Sequence, residues 1–171
     1  ATADWLAGPG DRGQERDLSK AFDTVEYPVA AAALSSQGVG PNTVAFLEAG
    51  WRGQRFCKVG TVAEPFRLKR GVPQGDPTAP KVLGLVLAPW HADTGTRSVR
   101  KWAYIDDRSL RYSSANIAEG QQAISATNAF DRSIGLTENT AKRQDWQGKD
   151  AVEHLGLVCR PNVAAPAPLR D

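Results

Sequence analysis

Trp102-Ala103-Tyr104-Ile105-Asp106-Asp107-Arg108-Ser109-Leu110-Arg111-Tyr112 is the stretch on which the reading of this chain turns. Two adjacent carboxylates stand between runs whose aromatic, aliphatic and alternating content predicts strands. Neighbouring side chains on a straight strand point to opposite faces, so Asp106 and Asp107 can serve one site only where the backbone turns. The expectation is a hairpin with both acids at its tip. Like charges held that close repel, and a divalent cation relieves the repulsion. Asp is also a common turn residue, so the dipeptide by itself reads first as a polar turn. The rest of the chain changes that reading.

Immediately upstream, Lys81 to Trp90 is apolar on nearly every side and predicts a helix buried in the core. Before it comes the Gly- and Pro-dense loop Arg70-Gly71-Val72-Pro73-Gln74-Gly75-Asp76-Pro77. Arg55 to Val59 and Pro65 to Lys69 alternate apolar with basic and predict two strands with a basic outer face. Proline-opened helices are expected from Pro28 to about Leu34 and from Pro41 to about Trp51, the second carrying Val44, Phe46 and Leu47 inward. Residues 1–16 predict an irregular lead-in, because Asp11-Arg12-Gly13-Gln14-Glu15-Arg16 would strand charges in a buried strand. Downstream, Ala123, Thr127, Phe130 and Ile134 recur at helical spacing and Gly135 ends that helix. Val152 to Val158 predicts one more strand, and residues 159–171 form a Pro/Ala-rich tail. Strands and helices mix without regular alternation. That argues for an α+β fold, a mostly antiparallel sheet backed by helices.

With 171 residues, 41% of them hydrophobic, the chain can bury one core. The formal charge of +2 permits a nucleic acid partner without arguing for one. Local clusters say more: Arg67, Lys69 and Arg70, then Arg97, Arg100, Lys101, Arg108 and Arg111, each otherwise an ordinary solvated face. Two cysteines, Cys57 and Cys159, make no disulfide framework and no zinc spacing, so a reducing compartment is the expectation. No apolar run reaches membrane-spanning length and no signal-peptide pattern opens the chain. The expectation is a soluble intracellular protein, of cytoplasm or nucleus, with no membrane partner. The absence of methionine and the Pro/Ala-rich end predict a piece of something longer.

Five of these stretches, in this order, resemble the palm domain of a reverse transcriptase, of the kind found in non-LTR retrotransposons and group II introns. Asp17-Leu18-Ser19-Lys20-Ala21-Phe22-Asp23-Thr24-Val25 resembles the family's first palm motif, and Arg70 to Pro80 its second, a Gln-Gly-Asp-Pro loop leading into a buried helix. Tyr104 to Asp107 resembles the Tyr-x-Asp-Asp hairpin. Ile134-Gly135-Leu136 with Asn139 and Lys142 resembles the fourth motif, and His154-Leu155-Gly156 the fifth. The resemblance spans residues 17–158, which it implies are the palm, with fingers and thumb largely missing. It implies that Asp17, Asp106 and Asp107 are the catalytic, metal-binding acids and that Lys142 protonates the leaving pyrophosphate. Phe22, Arg70, Gln74 and Gly75 are then the substrate-binding residues, Phe22 packing under the sugar. His154, Leu155 and Gly156 hold the primer.

Nucleotide addition requires a primer hydroxyl to attack an α-phosphate while charge on the triphosphate is neutralised and both are held in line. Two magnesium ions, or manganese in their place, do this when a few carboxylates hold them. The implied function is RNA-directed DNA polymerase, with an RNA template, a DNA primer and deoxynucleoside triphosphates as partners and an oligomeric state left open. Weak or no activity is expected of this chain alone. Two other readings stand beside it: a non-catalytic RNA-binding or scaffolding relic of a retroelement, and another palm-fold phosphotransferase such as a nucleotide cyclase.

Overall fold

A computed structural model describes residues 10–93, 98–148, 152–154 and 157–159. Its first strand is a correction to the sequence reading. Asp11–Arg16 (β1), five polar or charged residues around one glycine, lies inside a sheet with Gln14, Glu15 and Arg16 buried. The strand tolerates them because the three side chains find partners: Gln14 donates to Asp145 at 2.6 Å, Glu15 accepts from Ser109 at 2.7 Å, and Arg16 reaches Glu138 at 2.6 Å. A buried charge is costly only while it is unpaired.

The chain divides into two compact units, one drawn from Ala1–Ser19, Trp90–Asp131 and Glu138–Asp171, the other from Lys20–Pro89 and Arg132–Thr137. The first holds a four-stranded, wholly antiparallel sheet. Val99–Tyr104 (β4), Asp107–Ser113 (β5) and Gln144–Gln147 (β6) join β1 in the order β4-β5-β1-β6. Sequence reading missed β6, whose four residues hold one apolar side chain, Trp146. One face of this sheet is backed by Ile117–Ser133 (α5): Val99 and Leu110 pack with Ala123 and Trp90, and Tyr112, Ile124 and Phe130 lie against them. The Trp90 indole donates to Thr127 Oγ1 at 2.9 Å, and the Arg108 guanidinium lies 5.2 Å from its ring. Gly13 and Gly120 each accept a ring lying flat on the backbone. A Cβ at Gly13 would stand 2.2 Å from Trp146, and one at Gly120 would stand 2.5 Å from Tyr112. The expected last strand is instead a pair, Val152–His154 (β7) and Leu157–Cys159 (β8), running antiparallel.

In the second unit a left-handed Lys20 (φ 51°) precedes the short helix Ala21–Thr24 (α1), and Tyr27–Ser36 (α2) and Pro41–Trp51 (α3) each carry proline in the first turn. The Tyr27 ring stacks on Trp51, and its hydroxyl donates to the carbonyls of Trp51 and Leu68, 3.2 Å each. Phe46 was expected inward. It is 76% exposed, because Val44 and Trp51, seven residues apart, define the buried face of α3 and Phe46 lies off it. Arg55–Val59 (β2) and Val62–Phe66 (β3) pair as a hairpin, the second strand earlier than the alternation suggested. The expected apolar inner face is absent, since Phe56, Val59, Val62 and Phe66 are all exposed. Ala79–Asp93 (α4) departs from the sequence reading too. Val82, Leu83, Val86, Leu87 and Trp90 make one buried stripe, while Lys81, Gly84, Ala88 and Pro89 are exposed. Among the described residues no helix is long and apolar enough to cross a membrane.

Candidate active site

Asp17 follows the last residue of β1, and the register decides what it meets. Arg16 pairs with Arg108 in β5, so the next step along each strand sets Asp17 opposite Asp107. Tyr104 pairs with Asp107, which leaves Ile105 and Asp106 as a two-residue turn between β4 and β5. Ile105 has φ 56°, a left-handed conformation that hairpin turns usually give to glycine. A β-branched residue held there stores strain of about 1–3 kcal/mol, the kind of backbone cost that clusters at functional sites. It turns the chain just ahead of two acids that a straight strand would send to opposite faces.

A third segment closes on Asp17. Leu18 bridges to Glu138, the Asn139 N–H donates to the Asp17 carbonyl at 2.9 Å, and the Asn139 carboxamide donates to Asp17 Oδ2 at 3.2 Å. The Lys142 N–H donates to the Asn139 carbonyl at 3.0 Å, a turn that brings the Lys142 ammonium to 2.9 Å from Asp17 Oδ2. The Lys142 pKa is raised, first by its hydrogen bond to Asp17 and by that carboxylate's charge, then by the charges of Asp107 and Asp106. One ammonium therefore feels all three acids. The four residues expected to be catalytic lie in one place.

Behind them lies an ionic layer. Because side chains alternate, Arg16 and Arg108 turn to the α5 side while Asp17 and Asp107 turn to the other. Arg108 donates to both oxygens of Asp131, at 2.8 and 2.7 Å. Arg16 donates to Asn128 and Glu138, both at 2.6 Å, and stands 3.7 Å from Asp131. Arg143 adds two bonds to Glu138, at 2.7 and 2.5 Å. These residues fix the strand ends from which the acids project. Sequence reading gave none of them this role. The available signal was Asp131, the one charge on the buried stripe of α5.

The second unit gathers Phe22, Arg70, Gln74 and Gly75. The Gly71 N–H donates to the Val25 carbonyl and the Val72 N–H to the Phe22 carbonyl, both at 2.8 Å, which ties the loop to α1. Gly71 is required there: its φ is +96° and a Cβ would stand 2.8 Å from the Asp23 carbonyl oxygen. Beyond it Gln74 and Gly75 are exposed, with Gly75 at φ 91°. Asp76 locks the turn by accepting from the Thr78 N–H at 2.8 Å and its hydroxyl at 2.7 Å, and these bonds lower its pKa. Arg70 stands 3.5 Å from Glu26, with both side chains exposed. His154 lies in β7, and Leu155 and Gly156 lie outside the described residues.

The acids suit magnesium in kind: they are hard oxygen donors, and one of them, Asp17, already draws a cation, the Lys142 ammonium. Among the described residues no three His, Cys, Asp or Glu side chains stand close enough to hold an ion as they are placed. The carboxylates would have to close together as the ammonium leaves.

A family model described as reverse transcriptase (RNA-dependent DNA polymerase) matches residues 12–159. The chain belongs to the reverse transcriptase family. A comparison with curated proteins finds no match. Among solved structures, this reverse transcriptase domain is similar to an apo telomerase from Candida tropicalis truncated from its C-terminal domain, with a TM-score of 0.73 at 12% identity over 94% of this chain and 36% of that one. It is also similar to apo telomerase from Candida tropicalis, TM-score 0.71 at 10% identity over 90% of this chain and 32% of that one. A telomerase from Candida albicans in complex with a TWJ fragment of telomeric RNA gives 0.61 at 12% identity, over 91% and 30%. At such identities the likeness is one of fold. The chain spans about a third of the length of these neighbours.

Proposed function

We propose that this chain is the palm of an RNA-directed DNA polymerase, with residues 17–158 and the strand leading into them as its catalytic body. The observation that carries the reading is the register that sets Asp107 across from Asp17, with Asp106 in the adjoining turn and the Lys142 ammonium 2.9 Å from Asp17 Oδ2. A scaffold has no use for three acids brought to one end of a sheet beside a strained turn. Asp17 and Asp106, assisted by Asp107, would hold magnesium or manganese, which when bound acidifies the primer hydroxyl and neutralises the leaving pyrophosphate. Asn139 keeps Asp17 oriented. Lys142, released from Asp17, would give its proton to a pyrophosphate oxygen. Phe22 would pack under the incoming sugar, Gln74 and Gly75 would lie along the nucleotide, Arg70 would meet phosphate, and His154 to Gly156 would hold the primer.

The spelling of the motifs, with Lys-Ala-Phe-Asp, Gln-Gly-Asp-Pro and Tyr-Ile-Asp-Asp, supports a retroelement of the non-LTR or group II intron kind. A structural neighbour bound to telomeric RNA supports nucleic acid as partner. The test is calorimetric binding of magnesium or manganese to residues 1–171 with RNA template, DNA primer and a nucleoside triphosphate present. Binding is expected, and Asp106→Asn is expected to weaken it at least tenfold. If neither protein binds metal, the non-catalytic scaffold reading replaces this one. Robust primer extension by this chain alone would overturn the expectation that it is weak by itself.

A further inference from the structure

One oxygen of Asp17 carries two donors. Asp17 Oδ2 accepts from the Asn139 carboxamide at 3.2 Å and lies 2.9 Å from the Lys142 ammonium. The two donors differ in how they are held. Asn139 is anchored by its own N–H, which donates to the Asp17 carbonyl at 2.9 Å. The backbone of Lys142 is pinned on both sides: its N–H donates to the Asn139 carbonyl at 3.0 Å, Arg143 is forked onto Glu138, and Gln144 opens β6 opposite Glu15. The Lys142 side chain is not pinned in this way. It is 67% exposed, whereas that of Asp17 is 14% exposed. The ammonium can therefore leave while the strand and the turn stay where they are, and Asn139 keeps the carboxylate oriented when it does.

Asp17, Asp106 and Asp107 come to one end of the sheet, and like charges brought together call for a cation. In the absence of metal the Lys142 ammonium supplies one, tethered to the chain. With the ammonium on Asp17, no three His, Cys, Asp or Glu side chains among the described residues stand close enough to hold an ion. A magnesium ion would draw its oxygen ligands in to about 2.1 Å, so metal and ammonium compete for the Asp17 oxygen. The competition is mild, since an ion pair with one exposed partner contributes little. It becomes one-sided when a polyphosphate arrives, because the ammonium then has a more highly charged acceptor to bind.

We propose that Lys142 is a displaceable counter-ion that makes metal binding at the three acids depend on polyphosphate. Without polyphosphate the ammonium stays on Asp17 and the acids take up metal weakly. With it the ammonium moves to a phosphate oxygen, and the Asp17 oxygen is freed for metal. Linkage then requires metal to tighten polyphosphate binding by the same factor. The inference rests on the polymerase reading above and adds a regulation of that same site: divalent cation is retained when substrate or product is there to share it.

The test is manganese binding by residues 1–171, measured by equilibrium dialysis at matched free manganese, with and without inorganic pyrophosphate. Lys142→Met removes the charge of an exposed side chain and keeps most of its length. Without pyrophosphate it is expected to bind manganese about twofold to fivefold more tightly than the wild type. Lys142→Arg, which keeps a cation, is expected to bind no more tightly than the wild type. With pyrophosphate the advantage of Lys142→Met is expected to vanish or reverse, because the wild-type ammonium then lies on phosphate. Equal or weaker binding by Lys142→Met without pyrophosphate would overturn the inference while the polymerase reading stands. So would an advantage of the same size with and without pyrophosphate, which is the mark of a nearby charge rather than of a shared oxygen. If none of the three proteins binds manganese, with pyrophosphate or with primer, template and a nucleoside triphosphate, this inference and the polymerase reading fall together.

Discussion

Arg108 directly follows the two hairpin acids, and the structure shows what it does there. Its guanidinium is fully buried, forked onto Asp131 and laid against the Trp90 ring. Removing one partner of such a pair leaves the other's charge buried and alone. Asp131→Ala is therefore expected to destabilise the protein by roughly 3–5 kcal/mol. In an Arg108→Met background the same change should cost clearly less, because one of the two abandoned cations is gone. Urea unfolding of the four proteins of that cycle measures the difference, and equal costs in both backgrounds would refute the coupling. Lys142 belongs at this scale as well. It is a surface side chain, yet it is placed by Asn139 and by Asp17 rather than by solvent.

At the scale of the element, β1 was the hardest piece to foresee and α2, α3 and the β4–β5 hairpin the easiest. Proline at the first turn and glycine past the end punctuate helices through local sterics, which a sequence displays directly. The hairpin announced itself by alternation on both sides of its two acids. β1 did not, because Asn128 and Glu138, which accept from Arg16, lie 112 and 122 residues away and no local pattern contains them. Of the candidate acids all three were legible, whereas the Arg16, Arg108, Asp131 and Glu138 layer that holds them became visible only when the strands were side by side. β1 also yields a clear prediction. Gly13 lies under the Trp146 indole and close to the Leu110 carbonyl, so Gly13→Val must displace one of them. A loss of at least roughly 1–3 kcal/mol is expected. A thermal midpoint unchanged by the substitution would show that Trp146 moves aside freely.

For the whole molecule, the ionic layer predicts how stability depends on pH. Burial pushes the Glu138 carboxyl up, but the Arg143 hydrogen bonds and the charges of Arg16, Arg143 and Arg108 outweigh it and leave its pKa lowered. The Asp76 pKa is also lowered, by the Thr78 bonds. A carboxylate with a depressed folded pKa adds stability that is present above its unfolded value and disappears as pH falls through the folded one. The fold is thus expected to be steady near neutrality and to weaken below about pH 4.5. Glu138→Gln should be less stable at pH 7 and show a shallower acid decline in thermal midpoints between pH 3 and 7. A variant with the wild-type acid slope would count against the assignment. The same alternation has another consequence. If β1 slid by a single residue along β5, Asp17 and Glu15 would turn toward Asp131 and Asn128, and Arg16 would turn away. The apolar core could still collapse around that mispaired strand, but two more carboxylates would join Asp131 and Glu138 just as Arg16 left them, with only Arg108 and Arg143 to face all four. A look-alike protein that is folded but miswired is thereby excluded, so for this chain correct assembly of the sheet and correct assembly of the acids are one event.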